Sequence, residues 1–129
     1  MAHVELRFPP NAGHVRTARV VAAAVARRAG FDEESTDGVR LAVGEACARA
    51  VRRCGSHGVT TPVVLRIDDT PPGLRVDVVD GSSAEPREEP VALAILQGLA
   101  DLAELLPGPG GSDGHLRLVW FGKESPNGG

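Results

Sequence analysis

The sequence predicts an α/β protein, and within that class an α+β two-layer sandwich in which helices cover one face of a mixed β-sheet. Four short segments alternate apolar and polar residues, as half-buried strands do. Three longer segments repeat apolar residues every three or four positions, as amphipathic helices do. The segments follow one another in the order β-α-α-β-β-α-β, and such an order packs one layer of helices on one sheet.

The first strand is predicted at residues 3–9, where Pro9-Pro10 ends it. Asn11 is a favourable N-cap for the helix that follows, and Gly30 closes that helix after about Ala29. The apolar stripe predicted for this helix consists of Val15, Ala18, Ala22, Val25 and Ala29. The arginines of the helix lie largely outside this stripe, so they form either a solvated face or a partner-binding face.

The central helix carries the clearest periodicity in the chain. Its predicted stripe consists of Val39, Val43, Ala46, Ala50 and Cys54. Asp32 is expected to cap its start, and Gly55 is expected to supply the left-handed stop at its end. Glu45 and Arg49 lie one turn apart beside the stripe, so their side chains are neighbours. By periodicity alone, a solvated ion pair is the simpler interpretation of these two residues.

Two strands and a third helix are predicted next. The strands occupy residues 62–68 and 73–80, and the Asp-Thr-Pro-Pro sequence at residues 69–72 is typical of a hairpin turn between them. Pro90 favours the start of a helix that extends to about Leu106. The buried stripe predicted for this helix consists of Val91, Ile95, Leu99 and Leu102.

The chain closes with one more strand, predicted at residues 115–121. Residues 124–129 are polar and glycine-rich and are expected to form a disordered tail. The predicted organisation is therefore one domain over residues 1–123, in agreement with a length of 129 residues.

Composition disfavours several functions. The net charge of -3 and the 3% content of aromatic residues argue against a nucleic-acid surface. The longest apolar run, residues 20–26, is far too short to span a membrane, and no leader sequence is recognisable, so we expect a cytoplasmic protein without a membrane partner. Cys47 and Cys54 are separated by about 10.5 Å along one helix, which is too far for a disulfide, and they are expected to be buried thiols. The scattered histidines form no metal-binding motif.

The segment AVGEACARAVRR at residues 42–53 resembles the AVxEAxxNAVxH helix of the small anti-sigma-factor serine kinases. These proteins are a branch of the GHKL, or Bergerat-type, superfamily of histidine-kinase-like ATPases. In that family the Glu acts on the hydroxyl or water that attacks the γ-phosphate, and the Asn four residues later holds magnesium. The resemblance places Glu45 at the catalytic position and Arg49 at the metal-ligand position. A guanidinium offers no oxygen ligand to magnesium, so no metal ligand is expected there.

Two glycine motifs of the family are also altered. Its D-x-G-x-G motif, whose Asp hydrogen-bonds adenine, corresponds to residues 80–84 and keeps Asp80, while Ser82 and Ala84 replace the glycines. An Asp-Gly pair after a strand is by itself ordinarily a turn. The family lid corresponds to residues 85–90, and the phosphate-binding glycines at the start of the following helix are replaced by Pro90 and Ala92.

The resemblance covers residues 4–122 and implies two alternative functions. The first is an anti-sigma-type regulatory protein that binds a sigma factor, a STAS-type anti-anti-sigma protein, or both. It would need no cofactor, and the positions corresponding to the family's ATP site would be vestigial: Arg49, Asp80, Gly81 and Ser82. The alternative is an active serine-protein kinase that uses ATP and Mg²⁺, with Glu45 as its catalytic residue.

The resemblance also indicates where partners bind. In the family the first helix contributes to partner contacts, so we expect Arg16 and Arg19 and the region near the lid to form the interface. The family's kinases are usually dimers, so a homodimer is one arrangement that the resemblance allows, and the sequence does not decide the oligomeric state. We further expect Glu45 and Arg49 to meet at one end of a cavity that the central helix lines together with the strand ending at Asp80.

Overall fold

The computed structural model describes residues 3–69, 73–82, 90–107 and 114–122. The predicted hairpin turn and lid, Ala84 and the predicted tail lie wholly or largely outside these residues. Within them the elements are β1 (His3–Phe8), a 3-10 turn (Ala12–His14), α1 (Val15–Arg28), α2 (Glu33–Ser56), β2 (Val63–Asp68), β3 (Gly73–Val79), α3 (Pro90–Leu99), β4 (Leu102–Leu106) and β5 (His115–Phe121).

The described strands form one sheet in the order β1-β2-β3-β5-β4, and helix α2 packs against α1 on one side and α3 on the other. The predicted two-layer fold is confirmed. One detail is wrong, because every pairing between described strands is antiparallel rather than mixed. Helix α3 does lead to a strand parallel to β3, as a helical crossover does. That strand is β4, and β5 lies between the two and runs against both.

The predicted third helix extends too far. It ends at Leu99, where the N–H of Ala100 still donates to the carbonyl of Leu96, and β4 follows almost at once. The predicted stripe is also displaced by one position, since Val91 is 72% exposed while Ala92 and Leu96 are buried. Because β4 pairs with β5 along its whole length, sheet pairing overrides the helical preference of this leucine- and alanine-rich segment.

The first two helices follow the sequence more closely. Asp32 accepts a hydrogen bond from the N–H of Ser35, as the predicted N-cap should. Gly30 has a φ of 93°, which suits the turn between α1 and α2. The left-handed residue after α2 is Gly58, with a φ of 64°, and not Gly55, which continues the helix. A bond from the N–H of Val59 to the carbonyl of Cys54 closes this end.

The core lies between α2 and the sheet. All five residues of the predicted α2 stripe are buried to at least 99%, and so are the inward residues of the central strands, such as Leu65, Val76 and Leu118. In the α1 stripe only Ala29 is exposed. Helix α1 approaches α2 closely at Gly44, where the Arg19 side chain occupies the space that a Cβ atom would need.

No described helix has the length and apolar character that crossing a bilayer would require.

The outer face of the sheet carries a row of charges of alternating sign across all five described strands. Directly paired positions from one edge to the other are Glu5, Arg66, Asp77, Arg117 and Glu104. Nε of Arg66 donates to Glu5 at 2.9 Å, and Nε of Arg117 donates to Asp77 at 2.8 Å. Since a slip of one residue would turn such charges into the core, the row specifies the register of the sheet.

Asp77 is the centre of this row, and its replacement should be costly. His115 and Arg75 also contact its carboxylate, at 2.7 and 3.3 Å. We expect Asp77→Ala to lower the free energy of unfolding by about 2–3 kcal/mol, because it removes the acceptor shared by several donors. Glu104→Ala, at the end of the same row, should change it by less than about 1 kcal/mol. Equal effects of the two variants in urea unfolding would show that the centre of the row has no special weight.

Both cysteines are free and buried, as predicted. Burial raises the pKa of Cys47 to about 12, and burial together with the charge of Asp80 raises the pKa of Cys54. Since the thiolate is the reactive form, neither thiol of the native protein should react with Ellman's reagent within minutes at pH 8. Denatured protein should release two equivalents. Rapid release of one equivalent from the native protein would contradict this description of the core.

Candidate functional site

The candidate site lies where the last turns of α2 meet the segment that follows β3. Three charged residues are almost fully buried here: Arg49 at 3% exposure, Arg53 at 4% and Asp80 at 3%. The two arginines are four residues apart, so α2 presents them on one side, next to its apolar stripe. Asp80 comes directly after β3, whose direction carries it beneath that side of the helix.

The Asp80 carboxylate is held by groups of the protein itself. Nε of Arg53 donates to Oδ2 at 3.2 Å, and the N–H of Ser82 donates to Oδ1 at 2.8 Å. The N–H of Asp80 donates to the carbonyl of Gly114 at 2.7 Å, which joins this segment to the start of β5. Both oxygens of the carboxylate therefore have internal donors.

Burial dominates the electrostatics of the site. It raises the pKa of Asp80, while the N–H of Ser82 and the charges of Arg53 and Arg49 act in the opposite direction without fully offsetting it. The ionised carboxylate therefore adds less to stability than the protonated form would, and removal of either arginine would raise the pKa further. Asp80 and the two arginines thus form one electrostatic unit.

Two glycines let the backbone close tightly around this unit. A Cβ atom on Gly114 would lie 2.5 Å from the carbonyl oxygen of Asp80, and one on Gly81 would collide with the hydroxyl of Thr61. The backbone of Gly81 also hydrogen-bonds the thiol of Cys54, which lowers the pKa of that thiol against the larger effect of burial. The need for a glycine at position 81 therefore follows from packing in this structure.

The structure brings together four of the predicted site residues and sets the fifth slightly apart. Arg49, Asp80 and Ser82 are buried in one region, and Gly81, which is exposed, lies between Asp80 and Ser82 in the chain. Glu45 is on the same helix but half-buried, and its carboxylate accepts a hydrogen bond from Nη2 of Arg52 at 3.3 Å. The contact predicted between Glu45 and Arg49 stays a prediction.

Arg53 is the residue that sequence reasoning missed. It stands at the last position of AVGEACARAVRR, where the resembled helix has His. The sequence does contain a signal for this residue: a second arginine stands one turn after Arg49, beside the apolar stripe. An arginine in that position is expected to be buried, and a buried guanidinium requires a buried acceptor. That acceptor, Asp80, is 27 residues further along the chain.

Arg49 and Asp80 stand at the positions that correspond to the family's metal ligand and its adenine ligand. Magnesium takes oxygen ligands, and Arg49 supplies none at the position that corresponds to the family's Asn. The described ranges contain no cluster of three or more His, Cys, Asp or Glu side chains that could hold a metal. The carboxylate that corresponds to the adenine-binding Asp already accepts hydrogen bonds from Arg53 and Ser82.

The fold is that of a histidine-kinase-like ATPase domain. The family model described as "Histidine kinase-like ATPase domain" matches residues 8–113, and the chain therefore belongs to this family. A comparison with curated proteins gives no match.

Among solved structures, the chain is similar to the crystal structure of the RsbU and RsbW domains of Rv1364c from Mycobacterium tuberculosis. The TM-score is 0.74 at 17% sequence identity, over 94% of this chain. At that identity the similarity establishes the fold. This chain spans 32% of the length of that protein chain, about a third.

The buried pair can be tested by a double-mutant cycle. Arg53→Met and Asp80→Asn should each lower the free energy of unfolding by about 3–5 kcal/mol, because each leaves an uncompensated buried charge. The double variant should lose clearly less than the sum of the two. Arg52→Met is the matched control, since this neighbouring arginine makes only an exposed ion pair with Glu45, and its loss should cost at most about 1 kcal/mol. Additive effects in urea unfolding would show that Arg53 and Asp80 are not coupled.

Proposed function

We propose that this chain is an anti-sigma-type regulatory protein. It binds a sigma factor, a STAS-type anti-anti-sigma protein, or both in turn, and it acts without ATP. Membership of the histidine-kinase-like ATPase family and similarity to a structure containing an RsbW domain support the regulatory class. The buried ion pair between Arg53 and Asp80 is the main reason to propose that the chain acts without ATP.

Adenine would have to compete with a guanidinium for Asp80. Breaking a buried ion pair costs about 3–5 kcal/mol when one charge is left without its partner. A penalty of that size weakens an affinity by roughly 100- to 1,000-fold or more. A single hydrogen-bonded base does not supply this free energy, so the pair disfavours nucleotide binding at physiological concentrations.

Arg49 disfavours phosphoryl transfer in a separate way. Magnesium bridges the phosphates in the kinases of this superfamily, and an in-line transfer depends on that positioning. Arg49 offers a fixed cation at the corresponding position but no octahedral ligand geometry. The proposal therefore assigns no reaction to the chain, and Glu45 has no catalytic role in it.

The partner surface in this proposal is centred on α1. This helix carries four arginines and no acidic residue, which suits an acidic partner surface. Arg16 and Val20 are exposed on this helix. The Arg19 side chain packs against Gly44, and Arg27 forms an ion pair with Glu33. Arg16 is therefore the better choice for charge reversal, because Arg19 also supports the contact between α1 and α2. A cytoplasmic location and the homodimer that the resemblance allows remain parts of the proposal.

The alternative function, an active serine kinase, rests on Glu45. This residue occupies the family's catalytic position and keeps a half-exposed carboxylate. In that function Arg53 would have to release Asp80 when ATP binds, and Arg49 would have to replace the metal.

Calorimetry with Mg-ATP and Mg-ADP separates the two functions. We expect no binding with a dissociation constant below about 1 mM for the wild type, because Asp80 is engaged and the metal ligand is absent. Arg49→Asn alone should not restore binding, since the Arg53–Asp80 pair would remain. A micromolar constant for the wild type, or partner phosphorylation that Glu45→Ala abolishes, would establish the kinase instead.

Direct binding assays against the purified sigma factors and STAS-domain proteins of the source organism test the partner class. We expect at least one stable complex, and Arg16→Glu should weaken it by about tenfold or more through charge repulsion. Arg7→Glu is the matched control, because this exposed arginine lies on the sheet and not on α1. Failure of every candidate to bind would overturn the regulatory proposal, and equal effects of the two variants would move the interface away from α1.

A further inference from the structure

A second site lies at the other end of the molecule. A cavity of about 270 Å³ opens between the turn that joins α1 to α2 and the end of β5. Among the described residues that line it are Phe31, Asp32, Ser35, Asp101, Trp120 and Phe121. Asp32 and Arg53 are 21 positions apart at the two ends of α2, so this cavity is about 30 Å from the Arg53–Asp80 pair.

The lining has an unusual concentration of aromatic residues. The chain contains only three Phe and one Trp and no Tyr, and three of these four aromatic residues line this one cavity. Trp120 is fixed there by a hydrogen bond from its Nε1 to the carbonyl of Leu99. Aromatic rings attract cations through their negative faces, most strongly when the ring is Trp.

The charge of the lining residues also favours a cation. Asp32 and Asp101 carry the only charges among the described lining residues, and both are negative. Two amide donors at the start of α2 are already used, since the N–H of Ser35 bonds the Asp32 carboxylate and the N–H of Thr36 bonds the Asp32 carbonyl. An anion would therefore meet two carboxylates, whereas a cation meets carboxylates beside aromatic residues.

From this geometry we infer that the cavity binds an organic cation on an apolar stem, namely an arginine or lysine side chain presented by a protein partner. Its volume is slightly below the range of about 300–1,000 Å³ that is typical of pockets for drug-sized molecules, so it suits a single side chain and not a nucleotide. The stem would pack on Phe31 and Trp120, and the charged end would lie between Asp32 and Asp101. This inference does not depend on the identity of the partner at α1.

The protein carries its own probe for this site. Trp120 is the only tryptophan of the chain and it lines this cavity, so intrinsic tryptophan fluorescence reports on the cavity. The titrants are the blocked peptide acetyl-Gly-Arg-Gly-amide, the same peptide with neutral citrulline in place of arginine, and agmatine as a free small cation. We expect a saturable fluorescence change with the arginine peptide and at least tenfold weaker binding of the citrulline peptide, because the two differ in charge and hardly in shape.

Charge-neutralising variants test the carboxylates without removing their structural roles. Asp32→Asn keeps a good N-cap acceptor, and Asp101→Asn keeps an acceptor for the N–H of Phe121, which Oδ2 of Asp101 binds at 2.8 Å. Each should weaken arginine-peptide binding by about tenfold, as the loss of a charge-assisted contact does. Asp37→Asn is the matched control, since this acidic residue of α2 pairs with Arg40 and does not line the cavity.

The outcomes are distinct. Binding of the arginine peptide as tightly as agmatine or more tightly supports a partner side chain, whereas binding of agmatine with exclusion of the peptide supports the cation site but overturns the partner. Equal binding of the arginine and citrulline peptides overturns the inference, and so does the absence of any cation-dependent change. The comparison of these two peptides uses the wild-type protein, so it decides the question even if a variant fails to fold.

Discussion

The ion pair between Arg53 and Asp80 is the contact on which the arrangement of this end of the molecule depends. It joins the last turns of α2 to the residue that leaves β3, and Gly114 extends the connection to β5. A charge buried at either position is tolerable only with its partner present. The helix, the central strand and the start of the last strand are therefore held together by the groups of this site.

In the function proposed here, this arrangement separates the fold from the nucleotide chemistry of the family. The two-layer frame, the placement of α2 against the sheet and the Asp after β3 are all retained. The Asp80 carboxylate pairs with a guanidinium of the same chain. Removal of either partner of such a pair destabilises the fold whether or not the site binds a ligand, and a fold does not by itself imply a particular function.

Much of the fold could be predicted from local pattern, and the failures have physical causes. The stripe of α2 and the bounds of β5 were right because burial on one side imposes a period that the sequence displays. Strand β4 was missed because Leu102 to Leu106 are good helix formers without alternation, and only pairing with β5 makes them a strand. Arg52 and Arg53 show the limit for the site. They are identical neighbours, yet one bonds Glu45 at the surface and the other bonds Asp80 in the interior, and only the position of a distant strand distinguishes them.

The charge row on the outer face of the sheet also bears on the solubility of the protein. Strands β1 and β4 are the two edges of the described sheet, and the row ends on each with a carboxylate, Glu5 and Glu104. Glu104 is the only charged residue in the sequence of β4, which is otherwise leucine and alanine. If two copies met edge to edge at this level, like charges would oppose each other, and repulsion of this kind discourages open sheet edges from joining. A residue with little effect on the folded domain therefore protects the chain against assembly into extended sheets.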